Sequence, residues 1–180
     1  MNRKPNKTDT PSRLEAPAKK TQYRKTFLTL AILVALAVVI LLNLFTQVFS
    51  VVHYYGQSME PSFRDRQILV VHKTDKVSRG DTVAFYYNNK VLVRRVIAEG
   101  GNSIEIESGG RVIIDGNVLS EDYISESTLG QCNISFPYTI PADEFFVMGD
   151  NRPISMDSRL KEIGTVPRSR IMGKVLFALG

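Results

Sequence analysis

The chain has 180 residues, 43% of them hydrophobic, and a formal net charge of +5, which suits one modest domain with accessory segments. Residues 1–26 hold Arg3, Lys4, Lys7, Arg13, Lys19, Lys20, Arg24 and Lys25 against Asp9 and Glu15, a net of +6, so the remainder sums to −1. No basic patch is then left in the folded part for nucleic acid, and one cysteine with two histidines makes neither an intrachain disulfide nor a zinc cluster.

The basic segment, residues 1–26, is rich in Pro, Thr, Ser and Lys and reads as a disordered cytoplasmic tail. Residues 27–52 follow without a single Asp, Glu, Lys, Arg or His, and the dense core Phe27–Phe45 has only Thr29 and Asn43 as polar members. That length matches the roughly 20 residues a helix needs to cross hydrocarbon. A cleaved secretory signal would have an apolar segment of about 7–15 residues ending at a small-x-small site. Here the run is longer and continues into Thr46-Gln47-Val48-Phe49 with no Ala-x-Ala, so an uncleaved anchor is expected. The basic flank stays cytoplasmic, which sends residues 53–180 to the outer face of a single-pass cell-membrane protein.

Beyond the anchor the pattern is that of strands. "QILVVHK" (67–73), "DTVAFYY" (81–87) and "KVLVRRVI" (90–97) are rich in β-branched residues, and Asn88-Asn89 between the last two can take the positive φ of a tight hairpin. "SIEIE" (103–107), "RVIID" (111–115), "EFFVMG" (144–149) and "RIMGKVLFAL" (170–179) extend the series, with Gly109-Gly110 and Gly116-Asn117 at turns. No segment after the anchor has a convincing helical period. The expected fold is a mostly β, small antiparallel, barrel-like domain on one transmembrane helix, with residues 120–140 as a polar surface excursion.

Three segments could carry chemistry. In "GQSMEPS" (56–62), Gly56 permits a turn and Pro61 steers its predecessor away from the helical region, so Ser58 is presented on a rigid bend. Taken alone, such a serine is more often a turn former than a nucleophile. In "VLVRRVI" (91–97) the strand period puts Arg94 and Arg95 on opposite faces among apolar neighbours, and a buried guanidinium needs polar partners. "GDNRPISMDSR" (149–159) packs Asp150, Arg152, Asp157 and Arg159 around Ser155 and Ser158. It reads equally as an exposed turn or as an internal network bracing a site.

Together these segments resemble the bacterial type I signal peptidases, in the Gram-positive-like pattern, over residues 27–180. The resemblance implies a membrane-bound serine endopeptidase that removes signal peptides from exported precursors, without metal or cofactor. It assigns Ser58 as nucleophile, with its own N–H in the oxyanion hole and the second donor open because Gly56 stands where some relatives add a hydroxyl. Ser155 would orient the general base, Asp157 with Arg159 would brace it, Asp150 and Arg152 would belong to the same frame, and Arg95 would be structural. Gln57 and Met59 flank the serine as substrate-contacting residues, and Met59 on its own also reads as a core filler.

One position departs. The family's general base is a lysine, and the matching residue is Arg94, whose guanidinium has no acceptor and stays charged. Lys90, four residues earlier, lies some 13 Å away at about 3.3 Å per residue, and neither His53 nor His72 stands at the base position. Two functions remain: a signal peptidase with an unusually recruited base, or an inactive relative that binds exported or pilus-type precursors or assists an active paralogue. The partners expected are precursors and the lipid bilayer.

Overall fold

The computed structural model describes residues 16–180; residues 1–15 of the expected tail lie outside it. Contacts divide the chain into an N-terminal unit ending at Phe45 and a second unit, Thr46–Gly180.

The N-terminal unit is helical. Helix α1 spans Ala16–Val48, so residues 16–26, expected as the end of a disordered tail, continue the helix upstream of Phe27. Its stretch Tyr23–Val48 is long and apolar enough to cross a membrane, and its apolar side chains are exposed, Phe27 at 71% and Leu41 at 65%. A helix apolar all round is stable where lipid replaces water. Thr29 satisfies its hydroxyl by donating to the Lys25 carbonyl one turn back, 2.9 Å away.

The second unit is built of antiparallel strands. They are β1 (Phe49–His53), β2 (Ile68–His72), β3 (Thr82–Tyr87), β4 (Lys90–Glu99), β5 (Ser103–Ile106), β6 (Val112–Ile114), β7 (Asn117–Val118), β8 (Tyr138–Thr139), β9 (Glu144–Met148), β10 (Val166–Pro167) and β11 (Ile171–Leu179). The larger sheet has the order β1-β2-β11-β3-β4-β9-β10 and the smaller β7-β6-β5-β8. Asn88 and Asn89 take φ of 43° and 58° and close the β3–β4 hairpin, as expected of that pair. Strand β1 lies hidden at the tail of the apolar run. Its residues pair with β2 from Phe49 opposite His72 to His53 opposite Ile68.

The barrel expectation is overturned. Both sheets are open, and among the described residues β1 does not pair with β10, nor β7 with β8. The hairpins of residues 103–118 form a separate sheet instead of extending the larger one. The far edge, β10, has only Val166 and Pro167, and a proline has no N–H to offer another strand.

Alternation along the central strands covers both faces of the larger sheet. Val93 and Ala84 pack with Tyr54, Met59, Leu69, Val71 and Val175 on one side. Val83, Phe85, Val96, Phe145 and Val147 pack with Val77 and Val166 on the other. A third cluster joins the sheets, with Ile97, Phe146 and Met148 against Ile104, Ile106, Val112 and Ile114. The excursion 120–140 does more than cross the surface: Tyr123, Leu129, Ile134 and Phe136 lie half-buried on that cluster.

Candidate active site

Strand β4 is central, with β3 on one side and β9 on the other, so its side chains can be buried on both faces. Arg94 stands opposite Val83, while Arg95 is opposite Thr82 and also pairs with Met148 on β9. The chain leaving β9 at Met148 therefore brings Asp150 beside Arg95. Arg95 donates from Nε to Asp150 Oδ1 at 2.8 Å and from Nη2 to Oδ2 at 2.5 Å, and its guanidinium lies 4.1 Å from the centre of the Tyr123 ring. Asp150 also accepts the Ser62 hydroxyl at 2.5 Å, which ties the proline turn to this pair. The Arg95 pKa is raised: burial, the largest single influence, lowers it, but the bonds to Asp150 and that residue's charge together outweigh burial.

The loop 149–159 is an internal brace, which settles the alternatives its composition left open. Arg152, Ser155, Asp157, Ser158 and Arg159 have at most 1% exposure. Asp157 receives Arg159 Nε at 2.8 Å and Nη2 at 2.7 Å, and its Oδ2 also accepts the Gly149 N–H at 3.0 Å. Ser158 fastens the loop's return by accepting the Val147 N–H at 2.9 Å. Arg152 pairs with Glu121, a residue of the excursion that sequence reasoning missed, and donates to the Gly149 carbonyl at 3.1 Å. Tyr123 was missed as well. It donates to Glu121 at 2.7 Å, and burial together with that bond pushes its pKa above the ordinary value of 10.0. Neither residue had a pattern to mark it, because what recruits them is the buried charge of Arg152 and Arg95.

The serine turn docks on this brace. Gly56 takes φ +105° and its N–H donates to Asp65 Oδ1 at 2.7 Å. The Ser58 carbonyl accepts the Asn151 N–H at 3.0 Å, and Asn151 Nδ2 reaches the Gln57 carbonyl at 3.1 Å. Gln57 is exposed. Met59 is not where substrate contact was expected: its exposure is 0%, and it packs with Tyr54, Leu69 and Val93 beneath the turn. An apolar chain at that point is drawn into the core, so it anchors the bend instead of facing a ligand.

Among the described residues Ser58 Oγ has two polar side-chain neighbours. Arg94 Nη1 donates to it at 2.9 Å, and the Tyr54 hydroxyl lies 3.2 Å away. Tyr54 in turn accepts the Met59 N–H at 2.9 Å, so it grips the serine turn at two successive residues. The rest of the Arg94 guanidinium is held by carbonyls: Met156 accepts from Nε at 2.9 Å and from Nη2 at 2.7 Å, and Val93 accepts from Nη1 at 2.6 Å. Arg94 is 5% exposed, and burial lowers its pKa, with Asp157 the strongest opposing influence. Ser155, expected to orient the base at this position, makes no hydrogen bond to the described residues through its buried Oγ. Arg94 gives its hydrogen bonds to Met156, Val93 and Ser58 instead.

A cleft of about 720 Å³ opens in front of Ser58, with Arg94, Lys90, His53, Tyr55, Leu92 and Met172 in its walls. Lys90 and His53 thus border the cleft, whereas the His72 ring centre lies 5.6 Å from that of Phe49. The N–H groups of Gly56 and Met59, on either side of this stretch, are both engaged, by Asp65 and Tyr54. Chemically the site offers a presented hydroxyl, a fixed cation beside it and an apolar trough.

Comparison with known proteins adds a family. A family profile described as "Signal peptidase, peptidase S26" matches residues 24–179. Signal peptidase I of Leptolyngbya laminosa is 32% identical over 157 residues, covering 79% of this chain and 74% of that protein. Signal peptidase I of Bacillus amyloliquefaciens is 29% identical over 175 residues, covering 91% and 94%. A crystal structure of a signal peptidase I from Enterococcus faecalis aligns at 31% identity with a TM-score of 0.48, covering 57% of this chain and 97% of that one.

Proposed function

The chain belongs to the signal peptidase family, peptidase S26, and on that premise we propose that it receives the cleavage region of signal-peptide-bearing precursors in the Ser58 cleft, at the outer face of the cytoplasmic membrane, with hydrolysis strongly attenuated. The observation that carries this reading is the bond from Arg94 Nη1 to Ser58 Oγ. A serine hydroxyl attacks a carbonyl when a neighbour removes its proton. Here the neighbour at the base position donates, and a guanidinium keeps its protons throughout the accessible pH range. A general base contributes on the order of 10²–10⁴ in rate, and that is the expected shortfall.

The rest of the frame supports precursor binding. Asp157–Arg159, Arg95–Asp150 and Arg152–Glu121 are all assembled, and the cleft is open. A precursor tethered in the same bilayer would meet it at high effective concentration. Val51, Tyr55, Phe177 and Leu179 are at least half exposed and suit contact with a lipid surface.

A second reading, slow Ser58-dependent cleavage, is favoured by Tyr54, whose hydroxyl is the other group near Ser58. Reconstituted full chain, Arg94→Lys, Tyr54→Phe and Ser58→Ala forms compared on one precursor in detergent separate the readings. Binding without appreciable turnover is expected of the unaltered chain, and restored Ser58-dependent cleavage of Arg94→Lys. Slow cleavage lost in both Ser58→Ala and Tyr54→Phe supports the second reading. Rapid Ser58-dependent cleavage by the unaltered chain overturns the first.

A further inference from the structure

Four arginines are buried or half-buried around this site, and three of them meet a carboxylate: Arg95 with Asp150, Arg152 with Glu121 and Arg159 with Asp157. Among the described residues Arg94 meets none. Its four hydrogen bonds run to Met156 O twice, Val93 O and Ser58 Oγ, all neutral. A guanidinium out of water without a counter-ion is held at high cost. Asp157, its strongest electrostatic counterweight, already gives both oxygens to Arg159 and one of them to the Gly149 N–H.

The uncompensated charge is felt where Arg94 borders the cleft, at Ser58. Lys90 and His53 lie in the same walls, and among the described residues no aspartate or glutamate does. Ser58 Oγ accepts from Arg94, and with the Tyr54 hydroxyl, 3.2 Å away, donating to it as well, the serine's own hydrogen is left for a ligand. An intact precursor would bring a neutral carbonyl to that spot. A carboxylate there would take the serine proton in a hydrogen bond and supply the missing negative charge in a partly desolvated setting, where charge-assisted bonds are strongest.

We propose that the Ser58–Arg94 cleft is a receptor for a peptide's free α-carboxylate: it holds an extended apolar peptide by its C-terminal acid more tightly than the same sequence in an unbroken chain. This rests on the reading that the cleft takes signal-peptide segments. The reaction class that supplies such a ligand is endoproteolysis of an exported chain, which releases a peptide acid in this membrane.

The test uses the full-length protein in detergent and three synthetic peptides of one leucine-rich sequence ending Ala-Gln-Ala: the free acid, its C-terminal amide, and an amide with Asp as last residue. Calorimetry should show the acid binding about tenfold or more tighter than the amide, with the Asp amide close to the plain amide. In an Arg94→Met protein shown by melting to be folded, the acid advantage should vanish. Equal binding of acid and amide to the unaltered chain overturns the proposal without any variant, and leaves precursor binding standing if both bind. An Asp amide equal to the acid overturns recognition of the terminus, an acid advantage that survives Arg94→Met overturns the role of Arg94, and binding of none of the three peptides overturns both readings of the cleft.

Discussion

Ser155 Oγ occupies the place where a side chain on Gly149 would begin, and it makes no hydrogen bond there to the described residues. Glycine lets the loop fold back on itself so that Ser155 and the Ser58 carbonyl both come close to its backbone.

Ser155→Ala in the unaltered chain should therefore be neutral or slightly stabilising, since it removes a buried hydroxyl that bonds to none of the described residues. In an Arg94→Lys background the same change should lower precursor cleavage by about tenfold or more, because a lysine needs an acceptor to fix its direction. A double-mutant cycle in kcat/KM reads the coupling. Additive effects would mean that Ser155 does not address residue 94.

Gly149→Ala should loosen the serine turn. The new Cβ would overlap Ser155 Oγ and come within 2.5 Å of the Ser58 carbonyl oxygen, which is backbone. Overpacking of this kind costs about 1–3 kcal/mol. Chemical denaturation should show that loss, and any cleavage gained through Arg94→Lys should disappear with it.

Asp157→Asn and Arg94→Met should part company in stability. Removing the Asp157 charge leaves Arg159, 0% exposed, without its carboxylate, a change that costs about 3–5 kcal/mol. Removing Arg94 takes away a buried charge whose described partners are neutral, and should cost less than about 1 kcal/mol. Denaturant midpoints of the two variants in the same detergent give the comparison, and equal losses would contradict the unpaired state of Arg94.

Alkali should weaken the domain through Tyr123. Its folded pKa is raised, chiefly by burial and then by the bond to Glu121. A raised folded value gives stability that is full below the unfolded pKa, about 10 for tyrosine, and that is lost as pH rises above it. Unfolding free energy should fall from about pH 10 upward, more steeply in the unaltered chain than in Tyr123→Phe. Parallel curves would remove the role given to that residue.

The charge of +6 on residues 1–26 predicts that the N-terminal tail stays on the cytoplasmic side. Protease added to intact spheroplasts should digest the domain beyond residue 53 and spare the N-terminal tail. Protection of the domain instead would overturn both the orientation and the proposed site of action.

Local features are written in the chain itself. An uncharged run has one stable solution in lipid, a helix, so the span is legible from residue composition alone. Alternation and the Asn88-Asn89 pair specify most strands and a hairpin, because period two and positive φ are properties of a few neighbouring residues. The likeness of the Ser58, Arg94–Arg95 and Asp150–Arg159 segments to a known pattern is legible too. Packing settles what depends on distant partners. Whether the sheet closes is set by edges far apart in the chain, and the two-residue, proline-bearing strand β10 leaves it open. Glu121, Tyr123 and Tyr54 enter the site through burial of charges and of a hydroxyl that lie elsewhere in sequence. Met59 goes to the core because the sheet beneath the turn is apolar. The direction of the bond at Ser58 follows from the identity of residue 94, but that this arginine meets the neutral oxygens of Met156 and Ser58 while Arg95 and Arg152 find carboxylates is a product of the folded arrangement, since Met156, Ser58, Asp150 and Glu121 come from segments remote in the chain.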